Sequence, residues 1–212
     1  RLDSTVDARV TQSLVESTKG VVVLADSKGE VGSYAGGFAG AGTVAVGAAV
    51  SLNEIDAAVA SKVVDSIIAT TAGLVRVSGV ANAKLQSLAA GGAGAETFGL
   101  GGGVATNDIH ANIDVQVTGS TIDSAKNVEV SAGNQNLIRA LSGGGAGASG
   151  SAIGAGVSLN EINSNMSASV MDSDVTSGNN VSVTASNDYN IESLAIGGAG
   201  ATNFAMSGGV AT

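Results

Sequence analysis

The chain has 212 residues, 32 of them Gly, with no Cys, Pro or Trp and 2 % aromatic side chains, so neither disulfides nor a large aromatic core can hold it together. A net charge of -9, with only 9 Lys plus Arg, leaves no basic stripe for nucleic-acid phosphates or anionic lipid. Apolar stretches are diluted by Gly, Ser and Asn, and none approaches the roughly 20 residues of a membrane helix, so neither nucleic acid nor membrane insertion of this segment is expected.

Gly-rich chains with few aromatics are often disordered, but this one is 44 % hydrophobic and its Val and Ile recur at fixed places. Leu88, Leu141 and Leu194 each open a Gly/Ala block (LAAGGAGA, LSGGGAGA, LAIGGAGA) at a spacing of 53, and an earlier copy, YAGGFAGA, begins at Tyr34, 54 residues before Leu88. The chain reads as one array over 1–212, with a partial repeat 1–33, repeats 34–87, 88–140 and 141–193, and a partial repeat 194–212. Because it starts at Arg1 rather than Met and stops at VAT, where an Asn should follow, a piece of a longer chain is expected.

Taken in chain order, each unit offers four strand-like segments. A VxV pair comes first (Val21 and Val23, Val75 and Val77, Val128 and Val130, Val181 and Val183), with Arg76, Glu129 and Ser182 between the valines and facing water. The Gly/Ala block follows, suited to a place where backbones approach too closely for larger residues. A second segment carries Val44/Phe98/Ser151/Phe204, Val46/Leu100/Ile153/Met206 and Val50/Val104/Val157/Val210 at every second position, and the alternation assigns these to a core, with Gly or Ala at the small positions. After VSLNEI or VATNDI comes the set Val59/Ile113/Met166, Ser61/Val115/Ala168 and Val63/Val117/Val170, then a Ser corner (Ser66, Ser120, Ser173) and Ile68/Ile122/Val175.

Turns rich in Gly, Asn, Asp and Ser between these segments leave no room for a helix, so the fold is expected to be all-β. A unit this poor in large side chains cannot bury enough area alone. Stacking neighbouring repeats at about 4.8 Å supplies both the missing surface and the backbone partners. The expectation is a parallel β-helix, or β-solenoid, of 53-residue tandem repeats, right-handed with about two coils per repeat; hairpins stacked side by side would give the same spacing.

The pattern Val128-Glu129-Val130-Ser131-Ala132, Ile138 to Ala148 and Gly154 to Ile162 resembles the VxVxA, IxxLAxGGAGA and GGxVAxNxI repeats of long bacterial surface adhesins and filamentous-haemagglutinin-like exoproteins. The resemblance covers nearly the whole chain and implies a secreted, β-helical filament at the bacterial cell surface. Separately, the three in-register strand sets carry no chemical constellation from copy to copy, so a structural role rather than an enzymatic one is expected.

Gly145 to Gly150 matches GxGxxG, but the other copies lose it and no helix follows, so no cofactor is expected. Asn53, Asn107 and Asn160 recur in register before Glu54, Asp108 and Glu161. With copies far apart along the axis, their carboxylates would not meet at one calcium ion, and an Asn ladder capping a turn is the expected role. Asp172 and Asp174 are the remaining calcium candidates, though the equivalent Gly119 and Thr121 are not acidic. His110, the only histidine, replaces Asp56 and Asn163 and marks an exposed turn; a His-based triad or zinc pair cannot be built.

The expected function is therefore a stiff stalk or fibre segment. Its partners are neighbouring repeats, with end-to-end or lateral assembly of copies, and a host or cell-surface ligand held by other regions. The alternative is a repetitive outer face that recognises a glycan, a host protein or other cells.

Overall fold

A computed structural model describes all residues, Arg1–Thr212. Thirteen strands and no helix make up the chain. After β1 (Leu2–Thr11) and β2 (Leu14–Ser17), a triplet of two long strands and one short one recurs. It runs as β3 (Val21–Ala41), β4 (Val44–Val64) and β5 (Ile67–Thr70), then β6 (Val75–Ala95), β7 (Phe98–Thr118) and β8 (Thr121–Ser124). The third triplet is β9 (Val128–Ala148), β10 (Ser151–Met171) and β11 (Asp174–Ser177), and β12 (Val181–Ala201) and β13 (Phe204–Ala211) begin a fourth.

Each triplet is one coil of a parallel β-solenoid. The stacked coils form three sheets, ordered β1-β4-β7-β10-β13, β3-β6-β9-β12 and β2-β5-β8-β11. Register is in phase with the repeat throughout: Val44 lies beside Phe98, Phe98 beside Ser151, and Ser151 beside Phe204. One repeat is therefore one coil, not the two expected, and a unit has three strands rather than four. The expected turn at the Asn ladder of the NEI and NDI segments is absent. These segments instead run straight through β4, β7 and β10, with Asn directed inward and the acids outward.

The two long sheets face each other across an interior that changes character from one end to the other. At the end closed by the short sheet, Val59, Val63, Ile68, Val75, Val77 and their equivalents form a Val/Ile core, and a second layer follows around Ile55, Leu85, Ile109 and Ile138. Beyond a band of Ser and Asn, only Ala, Gly and Ser remain, around Ala49, Ala89 and Ala105. Here the sheets touch backbone to backbone: a Cβ on Gly101 would fall inside the van der Waals envelope of the Gly145 carbonyl oxygen, and one on Gly47 would do the same at Gly92. The Gly/Ala blocks thus sit where the coil narrows to a wedge.

This close approach reverses one expected face. In the narrow half Ala45, Gly47, Ala49 and Ser51 point inward, and Val44, Val46 and Val50 point outward. The same inversion holds for Phe98, Leu100 and Val104, for Ile153 and Val157, and for Phe204, Met206 and Val210, whose register partners they are. The larger side chains lie outside because the inner space admits nothing beyond Ser. In the wide half the expected faces are present, with Val75, Val77, Val128 and Val130 buried. Val181 and Val183 are exposed because no coil covers the last one.

Corners are closed by repeated hydroxyl bonds. Gln12, Asp65, Gly119 and Asp172 occupy the left-handed region, with φ of 47 to 60°. The next residue is always Ser, and its hydroxyl donates to the carbonyl two residues back, as from Ser66 to Val64 at 2.7 Å and from Ser120 to Thr118 at 2.8 Å. The hydroxyls of Ser66, Ser120 and Ser173 also accept the backbone N–H of the preceding coil's Ser, as Ser120 Oγ does from Ser66 at 3.1 Å, so the corner forms a ladder of its own. Residues with oxygen-bearing side chains tolerate positive φ best after Gly, in keeping with Asp at two of the four corners.

Candidate functional site

The Asn series forms a buried, hydrogen-bonded column. Asn53 Nδ2 donates to Asn107 Oδ1 at 2.9 Å, and Asn107 Nδ2 to Asn160 Oδ1 at 2.8 Å. The column lies in mid-strand inside the solenoid, which corrects its expected place at a turn. Asn160 also reaches across the interior to Ser193 Oγ at 3.0 Å, while Ser33 and Ser51 share a 2.8 Å hydroxyl bond between β3 and β4. These bonds satisfy polar groups that would otherwise be costly to bury between the Leu/Ile and Ala/Gly layers.

Asp172 lies at the left-handed corner and Asp174 opens β11, next to Thr121 and, one coil further, Ile67. No third carboxylate or imidazole joins them in a metal-sized group.

The structure instead gathers acids that were expected to stay apart. With one coil per repeat, successive copies are neighbours in a sheet, so Glu54, Asp108 and Glu161 form one outward row, and Asp56, His110 and Asn163 form the next. His110 stands in mid-strand in β7, not in a turn, because outward positions of a solenoid strand accept polar side chains as readily as loops do. Its Nδ1 lies 3.4 Å from Asp56 Oδ1 and 3.5 Å from Asp108 Oδ1. Arg1 reaches the same patch, with Nη2 3.0 Å from Asp56 Oδ2 and Nε 2.8 Å from Asp3 Oδ1.

The Arg1 guanidinium holds the Asp3 carboxyl below its ordinary value. Asp108 is pushed up, first by burial and then by repulsion from Glu161 and Asp56, against the opposing pull of His110. Ligand atoms of Glu54, Asp56 and His110 lie within 4.8 Å of one another and are the residues that could hold a cation. In the chain as it stands, Arg1 supplies positive charge to the same carboxylates. The patch belongs to one level of the stack, since Asn163 replaces His110 one coil on. Its signal in the sequence was the repeat spacing itself, once one coil is assigned to it.

The GxGxxG stretch occupies the end of β9 and the turn into β10, a strand. Elsewhere on the wide half, outward charges pair between coils: Arg76 with Glu129 at 2.8 Å, Lys84 with Glu30 at 2.9 Å and Arg139 with Glu192 at 2.8 Å.

What the fold and these arrays define is a β-solenoid whose interior columns repeat while the outward chemistry of its wide half varies. Comparison with family models, curated proteins and solved structures found no match.

Proposed function

We propose that this chain is a structural segment of a stalk or fibre at the surface of a bacterial cell, exported there and acting by stiffness and stacking rather than by catalysis. One observation carries the reading. The backbone register and the inward columns of Asn, Val and Ile persist from coil to coil, while outward neighbours in the wide half change, as in Asp56/His110/Asn163 and Arg76/Glu129/Ser182. A solenoid kept for a repeated active or binding site would hold its outward residues constant and let the interior vary within volume limits. Here the reverse pattern supports a scaffold. The sequence resemblance to surface adhesin repeats supplies the location and the exported state.

Cryo-electron microscopy of the protein on its source cells tests the proposal. Continuous fibres with a repeat near 4.8 Å along the axis are the expected result. Discrete particles without that spacing, or a protein retained inside the cell, would sink it.

A further inference from the structure

The outer face of β4, β7, β10 and β13 over residues 44–52 and their register partners is apolar without interruption by charge. Of its nineteen outward strand positions only Thr106 and Ser151 are polar. Val46 is 56 % exposed and Leu52 70 % at one end of the stack, and Leu159 is 43 % exposed within it.

The inner geometry explains why small residues point in, but not why large apolar ones point out. Polar side chains would serve equally well on a wetted face, and the same sheet uses Lys62 and Asp114 outward in its wide half. Strand propensity would account for Val, Ile and Phe, but Leu100, Leu159 and Met206 are neither β-branched nor aromatic and have no such excuse. An outward row that stays Val46, Leu100, Ile153 and Met206 is what a covered face requires.

From these observations we infer that this face is the seat of a second copy of the same solenoid, laid side by side with the first. The periodicity selects the occupant. The face repeats at every coil, so a partner can match it along its length only if it has the same axial repeat, and another copy has it by construction. Charge agrees. The chain carries -9 overall, yet two such faces can meet without burying a charge, because the nearest acids, Glu54, Asp108 and Glu161, stand in a row at the margin where they stay wet.

Area agrees as well. Nine residues of strand span about 26 Å and four coils rise about 19 Å, a face of about 500 Å2, and each added coil contributes about 125 Å2. About six or seven coils reach the roughly 800 Å2 per partner typical of a stable interface. Four coils therefore associate weakly, and longer arrays progressively more tightly. The inference does not rest on the stalk reading, since a short domain that dimerised in this way would satisfy it equally.

Sedimentation equilibrium of the 212-residue chain, beside the double variant Leu100→Lys/Ile153→Lys, tests it. The wild-type mass is expected to rise from 20.2 kDa towards twice that value at high micromolar concentration, and the folded variant to remain at the monomer mass. Should the Lys variant lose its β circular dichroism, Leu100→Asn/Ile153→Asn replaces it in the same comparison. A wild-type chain that stays monomeric up to about 1 mM overturns the inference. So does association that persists in the folded variant, as end-to-end stacking through open strand edges would, and so does a monomer that floats with phosphatidylcholine vesicles, which would make lipid the occupant.

Discussion

The side-chain amide of Asn53 donates to the side-chain carbonyl of Asn107 at 2.9 Å, one coil away and inside the solenoid. Asn107 is 1 % exposed and stands between two partners, so Asn107→Ala leaves the Asn160 carbonyl without its donor and removes one of the acceptors of Asn53. Each buried group left unsatisfied costs about 1–3 kcal/mol. We expect a clear fall in the denaturant midpoint of Asn107→Ala. Asn82→Ala, at an outward position, should move it less, and equal shifts would mean that the column does not carry stability.

Gly101 and Gly145 differ in what a methyl group would meet. On Gly101 it collides with the carbonyl of Gly145 on the facing sheet, whereas on Gly145 it projects into open space. Gly101→Ala is therefore expected to destabilise by about 1–3 kcal/mol, the usual range for overpacking. Gly145→Ala should be neutral or slightly stabilising, because the unfolded chain loses freedom. Thermal unfolding of the two variants side by side decides this, and a reversed order would contradict the narrow wedge.

The inverted face makes a similar contrast among large residues. Ile113 is fully buried in the wide core and Leu100 points outward in the narrow half of the same strand. Ile113→Ala should cost about 2–5 kcal/mol, and Leu100→Ala less than about 1 kcal/mol when measured at concentrations where the chain is monomeric. Equal losses would mean that Leu100 faces the core.

Asp108 predicts a pH dependence. Its carboxyl is held above the ordinary carboxylate value chiefly by burial, so the folded state binds its proton more tightly than the unfolded chain does. Stability from this group is fully present below the unfolded value near 4 and is lost as pH rises through the raised folded value. Asp108→Asn should remove that loss. The variant is expected to unfold at a higher midpoint than wild type at pH 7, with the difference shrinking as pH falls towards 4, which urea titrations across pH 4 to 8 would reveal. A difference that grows on acidification would point to a carboxylate stabilised by His110 instead.

The all-β class and the wide core were legible because both signals reinforce each other there. Val59, Val63, Val75 and Val77 are large, alternate with polar residues, and point where alternation and size agree. In the narrow half the two signals oppose each other. Period-two alternation separates Val46 from Gly47 but does not say which one is inside, and size chose wrongly because no local pattern reports that a facing backbone has closed the gap. The coil length was missed for a related reason: a polar NEI segment looks like a turn when read alone, although a buried Asn with identical partners above and below is at home in a strand. That one assignment hid the meeting of Asp56, Asp108 and His110, since residues of successive copies touch only if a repeat makes a single circuit.

A circuit of two 21-residue strands also decides the proportions of the object. Each long strand runs about 70 Å, the facing sheets are about 10 Å apart or less, and a whole repeat advances the stack by only about 5 Å. The result is a ribbon that must gather about 15 coils before it is longer than it is wide. Bending resistance of a flat strip scales with the square of its width-to-thickness ratio when the two directions are compared, so this one should flex across its faces about fifty times more readily than edgewise, given those dimensions. Such a strip sways in one plane and resists in the other, and pairing two of them flat to flat would stiffen the compliant direction.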